Sequence, residues 1–386
     1  MSSKAPFTEL DIKTSDSGFY EGYSVPIALL SKGVMAALVI WALVWPANAN
    51  GVLGSLNWQI LGDFNDFYII ITGFFAFFLF VLAALPQTGK IRMGQPGEKP
   101  EFSNFSWFSM MFGAGIGVGM LTYATAEPIY HFQNNPTIIM GDVAAKSAES
   151  VRSAYVWSFN HWGLNAWASY ALTGLALAYF SYRRGLPLTI RSALAPLFGE
   201  KLSGKVGHMV DIVAVVATVL GVAQTLGFGV NQFVAGMHRI GLGDWLLNAD
   251  GQATQPAIIF ALLIIMGAST LSALSGVGKG IKWLSNINMG LSFFLLAFFL
   301  VFGSTFFGLQ ALLTGIWDYL LNLPGVLFTV WSDDGTETGK ALQGWQGGWT
   351  IFYWAWWIAF APFVGLFLAR ISRGRSLREY VLGAMI

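Results

Sequence analysis

The sequence contains no cysteine, which excludes disulfide bonds and thiolate chemistry. Charged residues are also scarce, at 11% of the 386 residues, whereas soluble domains carry about 25%. Positive and negative charges nearly cancel to a formal net charge of +1, so nothing in the charge balance favours a nucleic-acid partner. A chain this poor in charge is not a typical soluble domain.

Apolar residues make up 55% of the chain, and they occur in runs of about 18 or more nearly uncharged residues. Such runs are typical of helices that span a bilayer, so we predict an all-α, polytopic membrane protein. The polar leader before the first run is unlike a cleavable signal peptide. Eight spans are predicted, over residues 26–46, 66–86, 105–124, 153–181, 209–235, 256–275, 283–307 and 349–369.

Lysine and arginine are distributed unevenly between the two sides of these spans. Of the 21 such residues, 17 lie on the side of the N-terminus, which the positive-inside rule assigns to the cytoplasm. Within the basic segment 181–208 we expect short cytoplasmic helices, because Pro187 and Pro196 interrupt it. In the opposite, extracellular segment 308–348, we expect an amphipathic helix that lies in the membrane interface. Residues 379–386 become apolar again, and we expect them to begin a ninth span that is cut short, so that the polypeptide would be incomplete.

Glycine is concentrated in one predicted span, in the stretch MMFGAGIGVGMLTYATAEP, where it occupies positions 113, 115, 117 and 119. Each interior glycine costs a helix roughly 1 kcal/mol relative to alanine. One explanation is close packing, since small residues four apart let neighbouring helices approach. The other is an interrupted helix, which frees backbone groups to bind ions and substrate. Composition alone leaves both explanations open.

Aromatic residues are concentrated in two other segments, NHWGLNAWASY at 160–170 and WTIFYWAWWIAFAPF at 349–363. Helical geometry places Trp162, Trp167 and Tyr170 on one broad face of their span. The density of rings is too high for the aromatic belt that marks the headgroup region. Several indole faces that converge on one point would bind a quaternary ammonium group through cation–π attraction.

Four motifs resemble the betaine/choline/carnitine transporters, and in particular their sodium-coupled glycine-betaine type. They are MMFGAGIGVGM…AEP, HWGLNAWASYALTG, TVLGVAQTLGFG and WTIFYWAWWIAFAPFVGLFLARISRGRSLREYVLG. Members of that family have twelve spans, of which the last ten form two inverted repeats with a LeuT-like core.

The resemblance divides the chain into four regions. Residues 1–104 would hold a cytoplasmic N-terminus and two leading transmembrane helices, and 105–307 the first five-helix repeat. Residues 308–348 would form the extracellular interfacial segment. Residues 349–386 would hold the first helix of the second repeat and the start of the ninth span.

The same resemblance implies an aromatic box for the substrate. Its members would be Trp162, Trp167, Tyr170 and Trp357, with Trp354 and Trp356 beside them. An unwound segment, Gly115-Ile116-Gly117-Val118-Gly119, would turn its backbone toward the carboxylate of the substrate.

Two sodium sites are implied in the same way. The carbonyls of Gly113 and Ile116 would face one sodium ion, since unwound carbonyls supply oxygen ligands without a buried charge. A second site would use Thr218 and Thr225. That second site is doubtful, because Val222 offers no oxygen where the family has another threonine.

These features predict a secondary active transporter in the bacterial inner membrane, without a cofactor and with a homotrimer as the implied assembly. It would import a zwitterionic osmolyte such as glycine betaine or dimethylsulfoniopropionate together with sodium. One alternative is a proton-coupled choline transporter, although choline carriers of the family typically have an aspartate where this chain has Gly119. Another is a sodium-independent exchanger of the carnitine type. An enzyme is not expected, because the spans contain no paired carboxylates, nucleophile–base arrangement or phosphate loop.

Overall fold

The computed structural model of the protein describes residues 9–115 and 117–386, with the side chains of residues 118–121 excluded. That part of the chain contains isolated β-bridges but no β-strand, so the all-α prediction is confirmed. Its helices of nine or more residues are α1 Val25–Val44, α2 Pro46–Asp63, α3 Asn65–Ala84, α4 Asn104–Gly115, α5 Val118–Gln133, α6 Ala148–Trp162, α7 Leu164–Ala178, α8 Lys205–Arg239, α9 Gln255–Leu274, α10 Lys282–Phe302, α11 Thr305–Phe328, α12 Glu337–Gln346, α13 Phe352–Ile371 and α14 Leu377–Met385. Shorter helical turns lie at Pro86–Gly89, Pro136–Ile139, Tyr179–Arg183, Ile190–Ala193, Ala195–Phe198, Gly199–Ser203, Asp244–Leu246, Val277–Ile281 and Gly347–Ile351.

Seven segments of the described chain are long and apolar enough to cross a membrane. They are Val25–Val44, Asn65–Ala84, Lys205–Arg239, Gln255–Leu274, Val277–Phe302, Thr305–Phe328 and Glu337–Ile371. Six of them correspond to predicted spans. The third and fourth predicted spans are not among them, and α11 is an addition.

The prediction of a single helix for the fourth span is wrong, because a glycine divides it, whereas an interruption of the third span is what the resemblance implied. The third consists of α4 and α5, and Gly117 belongs to neither helix. The fourth consists of α6 and α7, with Gly163 between them. Glycine is the weakest helix former after proline, so both breaks lie where the helix is least stable. In a membrane, the backbone groups that a break frees must find partners within the protein.

Two connections are more helical than predicted. The helix α2 fills the loop between the first two predicted spans and begins with Pro46, which is favourable at the first helical position. The helix α12 continues through a π-helical turn into α13, so one helical segment extends over Glu337–Ile371. The predicted start of the eighth span at residue 349 is therefore too late.

The segment predicted to lie in the membrane interface, 308–348, contains most of α11, which begins at Thr305. This helix has 24 residues, and by length and composition it could also cross a membrane. Its buried residues are Gly315, Asp318 and Tyr319, which share one helical face. The face therefore packs within the protein, and the interfacial position of α11 stays a prediction.

The chain forms two compact units. The first comprises Met1–Glu101, Tyr130–Val219 and Leu313–Ile386, and the second comprises Phe102–Ile129 and Leu220–Leu312.

In the first unit, α7 and α13 approach each other so closely that their backbones meet at two glycines. A Cβ atom at Gly174 would lie 2.9 Å from the carbonyl oxygen of Gly365. A Cβ atom at Gly365 would lie 3.0 Å from the backbone nitrogen of Gly174. Small residues at a helix crossing permit this approach in membrane proteins. It brings the helix that carries Trp167 and Tyr170 against the helix that carries Trp357.

The basic segment 181–208 forms short helices, as predicted, and contains a buried ion pair with the start of α8. Arg191 is fully buried, and its Nε donates to Oδ2 of Asp211 at 2.8 Å. The backbone N–H of Arg191 donates to Oδ1 of the same carboxylate at 3.2 Å. The Nη1 atom of Arg191 donates to the carbonyl oxygen of Leu202 at 2.8 Å. The pair thus ties the short helices to the long helix that follows.

Candidate substrate-binding site

The four aromatic side chains predicted to form a box meet around Trp357 in the first unit. The ring centroid of Trp357 lies 5.7 Å from that of Trp162 and 5.9 Å from that of Trp167. The Tyr170 ring is 4.8 Å away. The interplanar angles of these three pairs are 78°, 50° and 54°, so the rings are tilted or perpendicular to one another. We call this arrangement of four rings the aromatic box.

The box is largely shielded from water. Tyr170 and Trp357 are 6% and 4% exposed, while Trp162 and Trp167 are half-buried. Trp167 and Tyr170 lie on α7, one turn apart, with their rings perpendicular at 5.9 Å. Burial of aromatic rings strengthens cation–π attraction, because less water competes for the cation.

A backbone hydrogen bond fixes the orientation of Trp357. Its indole N–H donates to the carbonyl oxygen of His161 at 3.1 Å. His161 lies in the last turn of α6, where carbonyl groups lack partners within the helix. The break at Gly163 therefore supplies the acceptor that holds the central ring of the box.

The two other tryptophans predicted beside the box occupy different positions. Trp356 contacts Trp162, with ring centroids 6.2 Å apart and an interplanar angle of 77°. Trp354 is 1% exposed, and its ring centroid lies 6.0 Å from that of the His161 ring. Trp356 thus adjoins the aromatic box, whereas Trp354 packs against the residue whose carbonyl orients Trp357.

Sequence reasoning missed two residues that support the box. His161 is fully buried, and its Nε2 lies 3.0 Å from Oγ1 of Thr350. Tyr353 stacks on the His161 ring at 4.8 Å and meets Trp162 edge-on at 5.3 Å. The motif NHWG does place a histidine beside Trp162 and a glycine. Its role could not be inferred, because Thr350 and Tyr353 are far away along the chain.

The glycine segment belongs to the second unit. The helix α4 ends at Gly115 and α5 begins at Val118, so Val118 and Gly119 are helical and the break is shorter than predicted. Ile116 lies outside the described residues, and so do the side chains at 118–121. The N–H of Gly117 donates to the carbonyl oxygen of Gly115 at 3.2 Å.

Gly113 serves close packing, which is the first of the two explanations that composition left open. A Cβ atom at Gly113 would lie 3.2 Å from Oγ of Ser285, on α10. Gly117, in contrast, lies in the interruption itself, and a Cβ atom there would be 3.8 Å from the methyl group of Thr225. The two explanations thus apply to different glycines of one segment.

Both threonines of the doubtful sodium site bond to their own helix. The Thr218 hydroxyl donates to the carbonyl oxygen of Ala214 at 2.7 Å, and the Thr225 hydroxyl donates to that of Gly221 at 3.1 Å. Each hydroxyl oxygen keeps lone pairs that could face an ion. Val222, between them, is 40% exposed and brings no oxygen.

Comparison with known proteins assigns the family. The model of the betaine/carnitine/choline family of transporters matches residues 26–386. The chain belongs to this transporter family. The resemblance seen in its motifs is therefore confirmed, as is the prediction that the chain is not an enzyme.

Several relatives of this family member are named for their substrates. A probable glycine betaine transporter of Desulfitobacterium hafniense is 38% identical over 360 residues, which cover 93% of this chain and 68% of that protein. The glycine betaine transporter OpuD of Bacillus subtilis is 38% identical over 353 residues, which cover 92% of this chain and 65% of that protein. The high-affinity choline transport protein of Escherichia coli is 41% identical over 332 residues, which cover 86% of this chain and 46% of that protein. This family member thus spans about half to two thirds of the length of the curated relatives it matches.

Proposed function

We propose that this protein carries a small zwitterionic osmolyte with a fully alkylated ammonium or sulfonium group across the membrane. Glycine betaine and dimethylsulfoniopropionate are the substrates that we expect. The observation that supports this most is the position of Trp357, whose ring meets Trp162, Trp167 and Tyr170 while its N–H is held by a backbone carbonyl. A fully alkylated cation has no N–H to donate, so it is recognised by π-faces rather than by hydrogen-bond acceptors.

The strength of such a box is consistent with binding of an osmolyte. Each π-face contributes roughly 1–2 kcal/mol to a desolvated cation. Four faces therefore supply roughly 4–8 kcal/mol, and a micromolar dissociation constant requires about 8 kcal/mol. We expect the backbone of the glycine segment to bind the substrate carboxylate and to provide selectivity for zwitterions.

Coupling to sodium is part of the proposal. The break in the glycine segment supports it, because a chain interrupted inside a predicted span frees carbonyl groups of the kind that bind Na⁺. We expect Gly113 and Ile116 to contribute such carbonyls, and we regard a second site at Thr218 and Thr225 as the weaker candidate. Transport by alternating access between two inverted repeats is the mechanism that the family resemblance implies.

Choline is the second candidate substrate, and one specific observation favours it. The Escherichia coli choline transport protein is 41% identical to this chain, which is slightly above the 38% of the glycine betaine transporters. The glycine at position 119 argues for the zwitterion, since it provides no fixed carboxylate for a bare cation.

An uptake panel tests these proposals. Cells that lack their own osmolyte carriers would express the whole protein and receive radiolabelled glycine betaine, dimethylsulfoniopropionate, choline or carnitine, with sodium or with potassium. We expect uptake of the zwitterions only with sodium. Choline uptake driven by a proton gradient would favour the second candidate, and sodium-independent exchange would contradict the proposed coupling.

The position in the membrane and the assembly also stay predictions. The excess of basic residues supports a cytoplasmic N-terminus in a bacterial inner membrane. Reporter fusions at the loops would test the orientation. The mass of the purified protein–detergent complex, measured by light scattering, would test the homotrimer.

A further inference from the structure

The break at Gly163 leaves backbone groups on both sides, and two side chains from elsewhere in the first unit each bind one of them. On the α6 side, the carbonyl of His161 accepts the indole N–H of Trp357 at 3.1 Å. On the α7 side, the N–H of Leu164 donates to the hydroxyl oxygen of Tyr319 at 3.2 Å. Leu164 is the first residue of α7, so no carbonyl within that helix can accept its proton. Tyr319, on α11, therefore caps the helix that carries two rings of the aromatic box.

The Tyr319 hydroxyl fits against the break because residue 163 is glycine. A Cβ atom at Gly163 would lie 3.2 Å from Oη and 3.3 Å from Cε1 of Tyr319. Tyr319 is only 5% exposed, so water has little access to compete for the Leu164 N–H. The ring of Tyr319 also contacts that of Phe159, with centroids 6.4 Å apart.

Two further contacts fix α11 against α6. At Gly315 the helices touch closely, since a Cβ atom there would lie 2.9 Å from the ring of Phe159. The buried carboxylate of Asp318 accepts two hydrogen bonds from Arg152, at 2.7 Å from Nε and 2.5 Å from Nη2. A bidentate pair of this kind fixes geometry as well as charge. Residues 315, 318 and 319 lie on one face of α11, so one helix surface provides all three contacts.

We infer that α11 braces the aromatic box and that Tyr319 is a positioning residue for substrate binding. The inference rests on the proposed function, and it names a residue that supports the binding site without touching the substrate. Trp162 lies just before the break and Trp167 just after it, so the geometry of the break sets the spacing between their rings. Tyr319 fixes the first amide after the break, and thereby holds Trp167 and Tyr170 at their places beside Trp357.

The variant Tyr319→Phe tests this, with Tyr155→Phe as the matched control. Tyr155 lies on α6, where its Cβ atom would be 3.2 Å from a Cβ atom added at Gly315, and its hydroxyl has no hydrogen-bond partner among the described residues. Loss of one neutral hydrogen bond at the break should raise the dissociation constant and KM for glycine betaine about three- to tenfold. The maximal uptake rate should stay within about twofold of wild type, and the control should change neither quantity by more than about twofold.

Hydrogen–deuterium exchange of purified protein without substrate gives a second, independent measurement. The peptide that contains the Leu164 amide should exchange faster in Tyr319→Phe than in wild type or in Tyr155→Phe. Gly315→Ala tests the same contact between α11 and α6 while keeping the Tyr319 hydroxyl. Its added methyl group would press on the ring of Phe159 and move α11 away from the break at Gly163. It should likewise weaken binding and accelerate exchange at Leu164. Unchanged exchange at Leu164 in folded Tyr319→Phe would overturn the inference, and so would faster exchange with unchanged affinity.

The two measurements separate this inference from the proposed function. If wild-type protein binds no zwitterionic osmolyte, the proposed function fails, whatever Tyr319 does. If wild type binds glycine betaine and Trp357→Leu weakens binding while Tyr319→Phe does not, the proposed function stands and the inferred positioning role of Tyr319 is wrong.

Discussion

The indole nitrogen of Trp357 lies 3.1 Å from the carbonyl oxygen of His161, so the central ring of the aromatic box is held by the last turn of a broken helix. The position of the central ring thus depends on the break at Gly163. An unbroken α6–α7 helix would use that carbonyl for its own backbone, and the ring would lose its acceptor.

Trp357 provides the first prediction. Trp357→Leu, like Trp162→Leu, removes one π-face and should weaken the apparent affinity for glycine betaine about tenfold, with expression intact. Trp357→Phe keeps a ring but loses the N–H that binds His161, so the loss should be smaller, at about threefold. Concentration-dependent uptake measures all three variants. Trp58→Leu is the control, because Trp58 is 67% exposed on α2 and should leave the affinity unchanged. Kinetics that do not distinguish Trp357→Leu from that control would count against the box.

Position 119 provides a prediction that comes from the sequence. Gly119→Asp adds a fixed anion, which should shift selectivity toward choline, because an ammonium without its own carboxylate then gains a partner. Binding of glycine betaine should weaken, since its carboxylate would be repelled. Gly119→Ala controls for the added volume without the charge. Competition between labelled choline and unlabelled glycine betaine measures the shift, and a variant that stays selective for betaine would show that residue 119 lies away from the substrate.

The break between α6 and α7 should not tolerate a larger residue. In Gly163→Ala the new Cβ atom would lie 2.5 Å from the carbonyl oxygen of Phe159 and 3.2 Å from Oη of Tyr319. Relieving these contacts should cost about 1–3 kcal/mol of folding free energy. Gly33→Ala is the control, because no atom lies within 4 Å of its added methyl group and alanine favours the helix α1. The thermal midpoint in detergent should fall for the first variant only.

The buried ion pair should contribute more to stability than an exposed one. Asp211→Ala leaves the fully buried Arg191 guanidinium without its counter-charge, which should cost about 3–5 kcal/mol. Glu101→Ala breaks a pair with Arg370 whose side chains are 44% and 40% exposed, and it should cost at most about 1 kcal/mol. Thermal midpoints of the two purified variants give the comparison. Equal midpoints would mean that the Arg191–Asp211 pair adds nothing beyond an ordinary surface pair.

Much of the fold could be predicted from the sequence, because the signals are local. Apolar runs identified six of the seven segments long enough to cross a membrane, since the length of such a run follows from the thickness of the bilayer. Hydropathy does not register a broken helix, so the break at Gly163 was missed, whereas an interruption that includes Gly117 was expected from the glycine segment and the family resemblance. Hydropathy also failed for α12, whose polar sequence continues the helix of α13.

The sequence by itself determined the class of protein, the family and the identity of the aromatic rings, because composition and motifs carry these directly. Only the tertiary structure decided what holds the rings in place. Trp357 and His161 are 196 positions apart, Leu164 and Tyr319 are 155 apart, and Arg152 and Asp318 are 166 apart. No periodicity or local motif connects such positions. Their pairing depends on helices that meet at Gly174, Gly315 and Gly365, where the absence of a side chain lets backbones and rings approach.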